Sequence, residues 1–369
     1  MEHMPLAGPH IEGLRTYVPD KPLDELAQEL GLDEIIKLSS NESLMGPSPK
    51  VVEALREQAG RVFYYPDGGT AGQMHRAIAD FHNIAPEQLI TANGSNEILT
   101  LIARTFCEAG VHSVLTFDFG FIIYALVSRA HNVEVRTVPM GEDFDLNLQA
   151  MAEAVDESTK VVFIANPNNP TGTYAPAKQL RQFIEAVPPH VIVVIDEAYF
   201  EYAQVDDYAS ALHMRDLRQR LIVLRSFSKC YGMAGVRAGY AVAPAPLIER
   251  MNRVREPFTC NSLAQASVPA ALADQDWIQR TLWSNEVGRV VLEEGLADLA
   301  DMGVSWTPSQ TNFLLVELPR DSQQVADAMV RQGVLVRPMK GYGLDRHLRI
   351  ALADRPIMER CVDALRNAL

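Results

Sequence analysis

The sequence predicts an α/β fold, a mostly parallel sheet flanked by helices with a smaller α+β unit after it, and three observations carry that expectation. Short apolar runs alternate with amphipathic segments along the 369 residues, the rhythm of parallel strands joined by helices. Val191-Ile192-Val193-Val194-Ile195 and Leu221-Ile222-Val223-Leu224 are continuously apolar, as strands covered on both faces must be. Both lead straight into polar residues: Asp196-Glu197-Ala198-Tyr199 follows the first, and Ser226 to Lys229 follows the second. Ligands of open α/β sheets bind beyond the carboxyl ends of the strands, so Asp196, Tyr199 and Lys229 are expected to converge on one site.

The remaining elements follow in chain order. Leu89-Ile90-Thr91-Ala92 reads as a strand, and Ser95-Asn96-Glu97 opens a helix that places Ile98, Leu101, Ile102, Thr105 and Phe106 on one face before Gly110 stops it. Gly94, Ser95 and Asn96 thus join a strand end to a helix start. Free backbone amides there favour an anion, and the glycine lets a phosphate approach closely. Lys160 to Ala165 is the next strand, followed by Asn166-Pro167-Asn168-Asn169-Pro170-Thr171-Gly172, a turn marked by two Asn-Pro steps and a glycine. Helix-period segments beginning near Leu263 and Gln279 lead to strand-like Asn312 to Val316 and Val334 to Val336. The expected division is a large domain at 46–256, with 1–45 and 257–369 forming an N-terminal arm and a small C-terminal domain.

Ser226-Phe227-Ser228-Lys229-Cys230-Tyr231-Gly232-Met233-Ala234-Gly235-Val236-Arg237 sets one lysine among hydroxyls, glycines and an arginine. An aldehyde cofactor carrying a phosphate would be held this way: the Lys229 amine can bond to the aldehyde, while Ser226, Ser228 and Arg237 offer hydroxyls and a guanidinium fork to the phosphate.

Composition narrows the classes. With 33 Lys+Arg against 47 Asp+Glu and a net charge of -14, the chain lacks the electrostatic footprint of a nucleic-acid binder. Cys107, Cys230, Cys260 and Cys361 form no C-x-x-C pair, which fits reduced thiols and no metal site. The start has no basic-then-apolar leader and no stretch reaches the length of a membrane span, so a cytoplasmic protein without membrane partners is expected.

The spaced set Asn169, Asp196, Tyr199, Lys229 and Arg237 resembles that of the fold-type I pyridoxal-phosphate enzymes. Three further stretches are similar to the histidinol-phosphate aminotransferases: Ile11 to Pro22, Tyr65-Pro66-Asp67-Gly68, and the run from Val336-Arg337-Pro338 through Gly341-Tyr342-Gly343 to His347-Leu348-Arg349-Ile350. The resemblance implies pyridoxal 5'-phosphate as cofactor and L-histidinol phosphate and 2-oxoglutarate as substrates of a ping-pong transamination in histidine biosynthesis. It also implies roles. Lys229 carries the cofactor and then acts as base, Asp196 keeps the pyridine nitrogen protonated, Tyr199 and Asn169 face the phenolic oxygen, and Phe121 stacks on the ring. Arg349 matches the carboxylate arginine, with Arg337 and Tyr17 completing a phosphate pocket. Tyr65 matches a tyrosine that crosses from a second subunit to the cofactor phosphate, which implies a homodimer with shared sites.

Departures fall at the pocket entrance. Asn41-Glu42-Ser43-Leu44 stands where many members have Asn-Glu-Asn-Pro, Gly68-Gly69 follows Tyr-Pro-Asp in place of Gly-Asn, and Cys230 and Met233 replace Ala and Leu. These loops put substrate preference in doubt, and an aromatic amino acid aminotransferase is the alternative reading. A phosphothreonine-type decarboxylase would share the cofactor residues but need no keto acid. A cofactor-sensing regulator would need a DNA-binding domain, for which neither spare length nor basic charge exists.

Overall fold

The computed structural model of the chain describes residues 6–14, 21–66 and 72–369. Strand β1 (Ile36–Lys37) stands apart from the main sheet, which holds β2 (Leu89–Ala92), β3 (Ser113–Phe117), β4 (Glu134–Val138), β5 (Thr159–Ala165), β6 (Ile192–Asp196), β7 (Leu221–Ser226) and β8 (Gly239–Val242). Their order across the sheet is β2-β8-β7-β6-β5-β3-β4. The pairs from β7 through β6, β5 and β3 to β4 are parallel, while β8 is antiparallel to both β7 and β2. The mostly parallel sheet expected from the sequence is therefore what forms. Its topology gathers the carboxyl ends of β2, β3, β5, β6 and β7 at one edge, together with the amino end of β8.

The continuous apolar runs hide a period of two. Phe163, Ile192, Val194, Ile222 and Leu224 pack with Ile98 and Ile102 of the helix Ser95–Phe106 and with Met251. Val162, Ile164, Val193, Ile195 and Val223 face the other way, onto Leu180, Phe183 and Ile184 of the helix Ala177–Ala186. Each fully buried aliphatic side chain here contributes about 1.5–3 kcal/mol. A polar substitution in β6 or β7 would lose that on either face.

The helix from Ser95 ends at Phe106, earlier than expected, because Cys107 is already extended at φ -97, ψ 132. Gly110, at φ +72, serves the turn that brings the chain to β3. Likewise the long helix starts at Gln275, not Gln279, and runs to Ala297.

A second sheet has the order β12-β13-β10-β9, built from β9 (Ser305–Thr307), β10 (Phe313–Glu317), β12 (Arg337–Pro338) and β13 (His347–Ala351), all antiparallel. β11 (Val334–Leu335) pairs instead with β1 in parallel, tying the arm to this region. Leu38 is buried in a core with Leu292, Leu314, Leu348 and Leu365. The helix Ser262–Leu272 packs elsewhere: its Ala264 and Val268 share a core with Val51 and Met74. Among the described residues no helix is long and apolar enough to cross a membrane.

Candidate active site

The gathered strand ends line a cavity of about 830 Å³, closed on one side by Arg337 and Arg349 of the second sheet. Asp196, the last residue of β6, is buried in its wall. Its Oδ2 accepts from Tyr124 Oη at 3.0 Å and its Oδ1 from the Ala198 amide at 3.2 Å. Burial pushes the carboxyl up to about 6, and the Tyr124 and Ala198 hydrogen bonds offset part of that rise. Tyr124 is itself held: it is fully buried in the helix Ile122–Ala130, with its ring stacked on Phe163 at 5.0 Å. Phe121, the residue before that helix, lines the cavity.

Lys229 Nζ donates to the Asn41 carbonyl at 3.2 Å and to the Ser40 carbonyl at 3.4 Å, and sits 5.4 Å from the Tyr199 ring centroid. Tyr199 Oη accepts from Asn41 Nδ2 at 3.0 Å.

A second group of residues forms a cradle at the start of the helix Ser95–Phe106. Gly94 adopts φ +92, ψ 162, and a Cβ there would lie 2.5 Å from Arg237 Nη2. Gly239 is needed for close approach, since a Cβ on it would lie 2.5 Å from the Ser95 nitrogen. Arg237, just ahead of β8, donates from Nη1 to the Ala234 carbonyl at 2.9 Å and to Ser228 Oγ at 3.3 Å. Ser226 Oγ accepts from the Ser228 amide at 3.1 Å. Ser95, Asn96, Ser226, Ser228 and Arg237 all line the cavity, so a helix amino end, hydroxyls and a guanidinium share one corner.

Arg337 of β12 lies directly opposite Arg349 of β13 in the antiparallel register. Arg349 Nη1 donates to Asn169 Oδ1 at 2.6 Å and Nη2 to the Ser39 carbonyl at 2.8 Å, while Arg337 Nε donates to the same carbonyl at 3.4 Å. Like charges opposed across strands are destabilising, and an anion bound between them offsets that cost.

The structure thus brings Ser95, Asn96, Phe121, Asn169, Asp196 and Tyr199 into one cavity with Ser226, Ser228, Lys229, Arg237, Arg337 and Arg349, and sets Gly94 against Arg237. Tyr65 is not among them: it is 81% exposed and stacks on Phe258 at 4.8 Å. Tyr17 lies outside the described residues. Sequence reasoning missed Asn41, Tyr124 and Tyr342, whose Oη accepts from the Ile122 amide at 3.2 Å.

The residues fit pyridoxal phosphate. The cradle held open by Gly94 and Gly239 has the donors a phosphate dianion requires, Asp196 is a buried acid suited to a pyridinium, and Lys229 offers an amine in the same cavity.

Comparison with known proteins agrees. Residues 33–365 match the family model "Aminotransferase class I and II". The chain is 40% identical to histidinol-phosphate aminotransferase 2 of Pseudomonas fluorescens over 100% of its own length and 98% of that protein's, and 42% identical to the protein of the same name from Methylococcus capsulatus over 94% of each. Among solved structures, histidinol-phosphate aminotransferase from Sinorhizobium meliloti in complex with pyridoxal-5'-phosphate superposes with a TM-score of 0.88 at 28% identity, covering 100% of this chain and 98% of that one. A cradle for phosphate, a buried acid and one lysine at the strand ends, together with a family match across nearly the whole chain, identify a pyridoxal-phosphate-dependent transaminase that belongs to the aminotransferase class I and II family, with the histidinol-phosphate aminotransferases.

Proposed function

We propose that the chain transaminates L-histidinol phosphate with 2-oxoglutarate, giving imidazole acetol phosphate and glutamate. The observation that carries this reading is the cross-strand pair Arg337 and Arg349 facing the cavity, two cations for one substrate anion. The names of the relatives at 40–42% identity support it.

When bound, pyridoxal phosphate supplies an electron-withdrawing ring that eases removal of the proton from the donor's Cα. Lys229 would hold the cofactor through its amine and would move the proton at the donor's Cα. Asp196 keeps a proton on the pyridine nitrogen. Asn169 spends its Oδ1 on Arg349, which leaves its amide nitrogen as the donor that, with Tyr199, would serve the phenolic oxygen. Phe121, on the cavity wall, would cover the ring, and Gly94, Ser95, Asn96, Ser226, Ser228 and Arg237 would hold the phosphate. Arg349 takes the substrate anion, with Arg337 and Tyr17 completing its pocket.

Tyr65 is proposed to reach the phosphate of a second copy's cofactor, in a homodimer with shared sites. Its exposure, together with that of Phe63 at 74% and Tyr64 at 64%, supports an apolar contact there. We further propose a cytoplasmic enzyme working as two units, a cofactor-binding one on residues 46–256 and a second on 1–45 and 257–369, with the helix Ser262–Leu272 packed on the first.

A phosphate dianion draws on both arginines, whereas an α-carboxylate is satisfied by a bidentate Arg349. Arg337→Ala is therefore expected to weaken use of histidinol phosphate by about 1.5 to 3 kcal/mol, the worth of a charged hydrogen bond, and use of phenylalanine by less. The measurement is kcat/KM for both donors in both proteins. Equal losses would remove the argument for a phosphate-selective pocket and favour the aromatic aminotransferase.

A further inference from the structure

Asn41 is held in a way that its place in the cavity wall alone does not require. It lies between β1 and the helix Pro49–Ala59, with backbone φ +55, a region that Asn, Asp and Gly enter most readily. Although polar, it is only 1% exposed. Its carbonyl accepts from Asn312 Nδ2 at 3.1 Å and from Lys229 Nζ at 3.2 Å, so the backbone is pinned from both units of the chain. What remains is the side-chain amide, and its Nδ2 donates to Tyr199 Oη at 3.0 Å.

A phenol has one proton to give and can also accept. Because the Tyr199 oxygen accepts from Asn41, its own proton is not used on that partner and is available on the cavity side. Tyr199 is held by the Phe313 ring, edge-on at 5.4 Å, and Lys229 Nζ lies 5.4 Å from its ring centroid.

We propose that Asn41 is a positioning residue that makes the Tyr199 hydroxyl an obligate donor toward the phenolic oxygen of the bound cofactor. This rests on the reading of Tyr199 given above. A hydrogen bond donated to that oxygen favours its anionic form, so the pH midpoint of the holoenzyme's visible-absorbance titration is held low by the pair, not by Tyr199 alone.

The test is a double-mutant cycle read by that midpoint. Asn41→Gly keeps the left-handed backbone, adds no charge and removes the amide. It is expected to raise the midpoint by about 0.5 to 1 pH unit in the wild-type background, the effect of one lost hydrogen bond, and to leave it unchanged in the Tyr199→Phe background. If Tyr199→Phe alone leaves the midpoint in place, the reading of Tyr199 fails, and the inference with it. If Tyr199→Phe raises the midpoint but Asn41→Gly does not, or if Asn41→Gly raises it equally in both backgrounds, the reading of Tyr199 stands and the role of Asn41 is overturned. Asn41→Ala, which likewise removes the amide and adds no charge, is the second variant should the glycine protein not fold. Its midpoint must lie above wild type, and a value at or below wild type overturns the proposal.

Discussion

Lys229→Ala is expected to lower kcat by about 10²- to 10⁴-fold, the range for losing a positioned general base and equivalent to about 3 to 5.5 kcal/mol of barrier. The physical reason lies in how singular the residue's setting is. On the proposed reading its amine would both hold the cofactor and move the Cα proton, and the neighbouring Tyr199 and Asn41 have no basic nitrogen to substitute. The phosphate cradle at Gly94, Ser95 and Arg237 is remote in chemistry from the amine, so the variant should still bind cofactor, but without a covalent link. Borohydride reduction followed by peptide mapping checks this: wild type should retain the label on the peptide containing Lys229, and the variant should retain none. A label on any other lysine would contradict the assignment.

The second large effect is expected at Asp196. Loss of one preorganised electrostatic group typically costs about 10²- to 10³-fold in kcat, so Asp196→Ala should lower turnover by that much while cofactor occupancy, proposed to rest on the cradle and Lys229, falls far less. Near-normal turnover in this variant would refute its role. The same carboxyl gives a pH-dependent stability in the cofactor-free protein. Burial raises it from 3.8 to about 6, so the folded state holds its proton over a range where the unfolded chain has released it. The stabilisation is therefore present in full below about pH 4 and lost as pH rises to about 6, a change of roughly 3 kcal/mol. Thermal melts of cofactor-free wild type across that window should show this decline, and Asp196→Asn should flatten it.

Much of this is legible in the sequence because the main determinants are local in the chain. A strand buried on both faces must be continuously apolar, and Asp196 and Ser226 are conspicuous because they end such runs. The cradle could be read from Gly94 and Ser95 for the same reason, a glycine and a hydroxyl at a strand-to-helix junction. The missing parts are non-local. Asn41 and Tyr199 are 158 residues apart, and Tyr124 and Asp196 are 72 apart, so neither pairing leaves a spacing to recognise. The carbonyls of Ser39, Ser40 and Asn41, which receive Arg337, Arg349 and Lys229, belong to the backbone and leave no mark on side-chain composition. The start of the long helix is poorly marked by apolar periodicity, because its buried stripe includes Thr281, Ser284 and Gly288 alongside Ile278 and Leu292.

The central claim, that this site transaminates histidinol phosphate, is tested most directly by the half-reaction of the purified holoenzyme with single amino donors and no keto acid. Histidinol phosphate should discharge the visible absorbance of the cofactor with a second-order rate constant about tenfold or more above that for phenylalanine, as expected if Arg337 adds one charged hydrogen bond to the phosphate. Subsequent 2-oxoglutarate should restore the absorbance in full. Discharge by phenylalanine as fast as by histidinol phosphate, or no recovery with 2-oxoglutarate, would contradict the account.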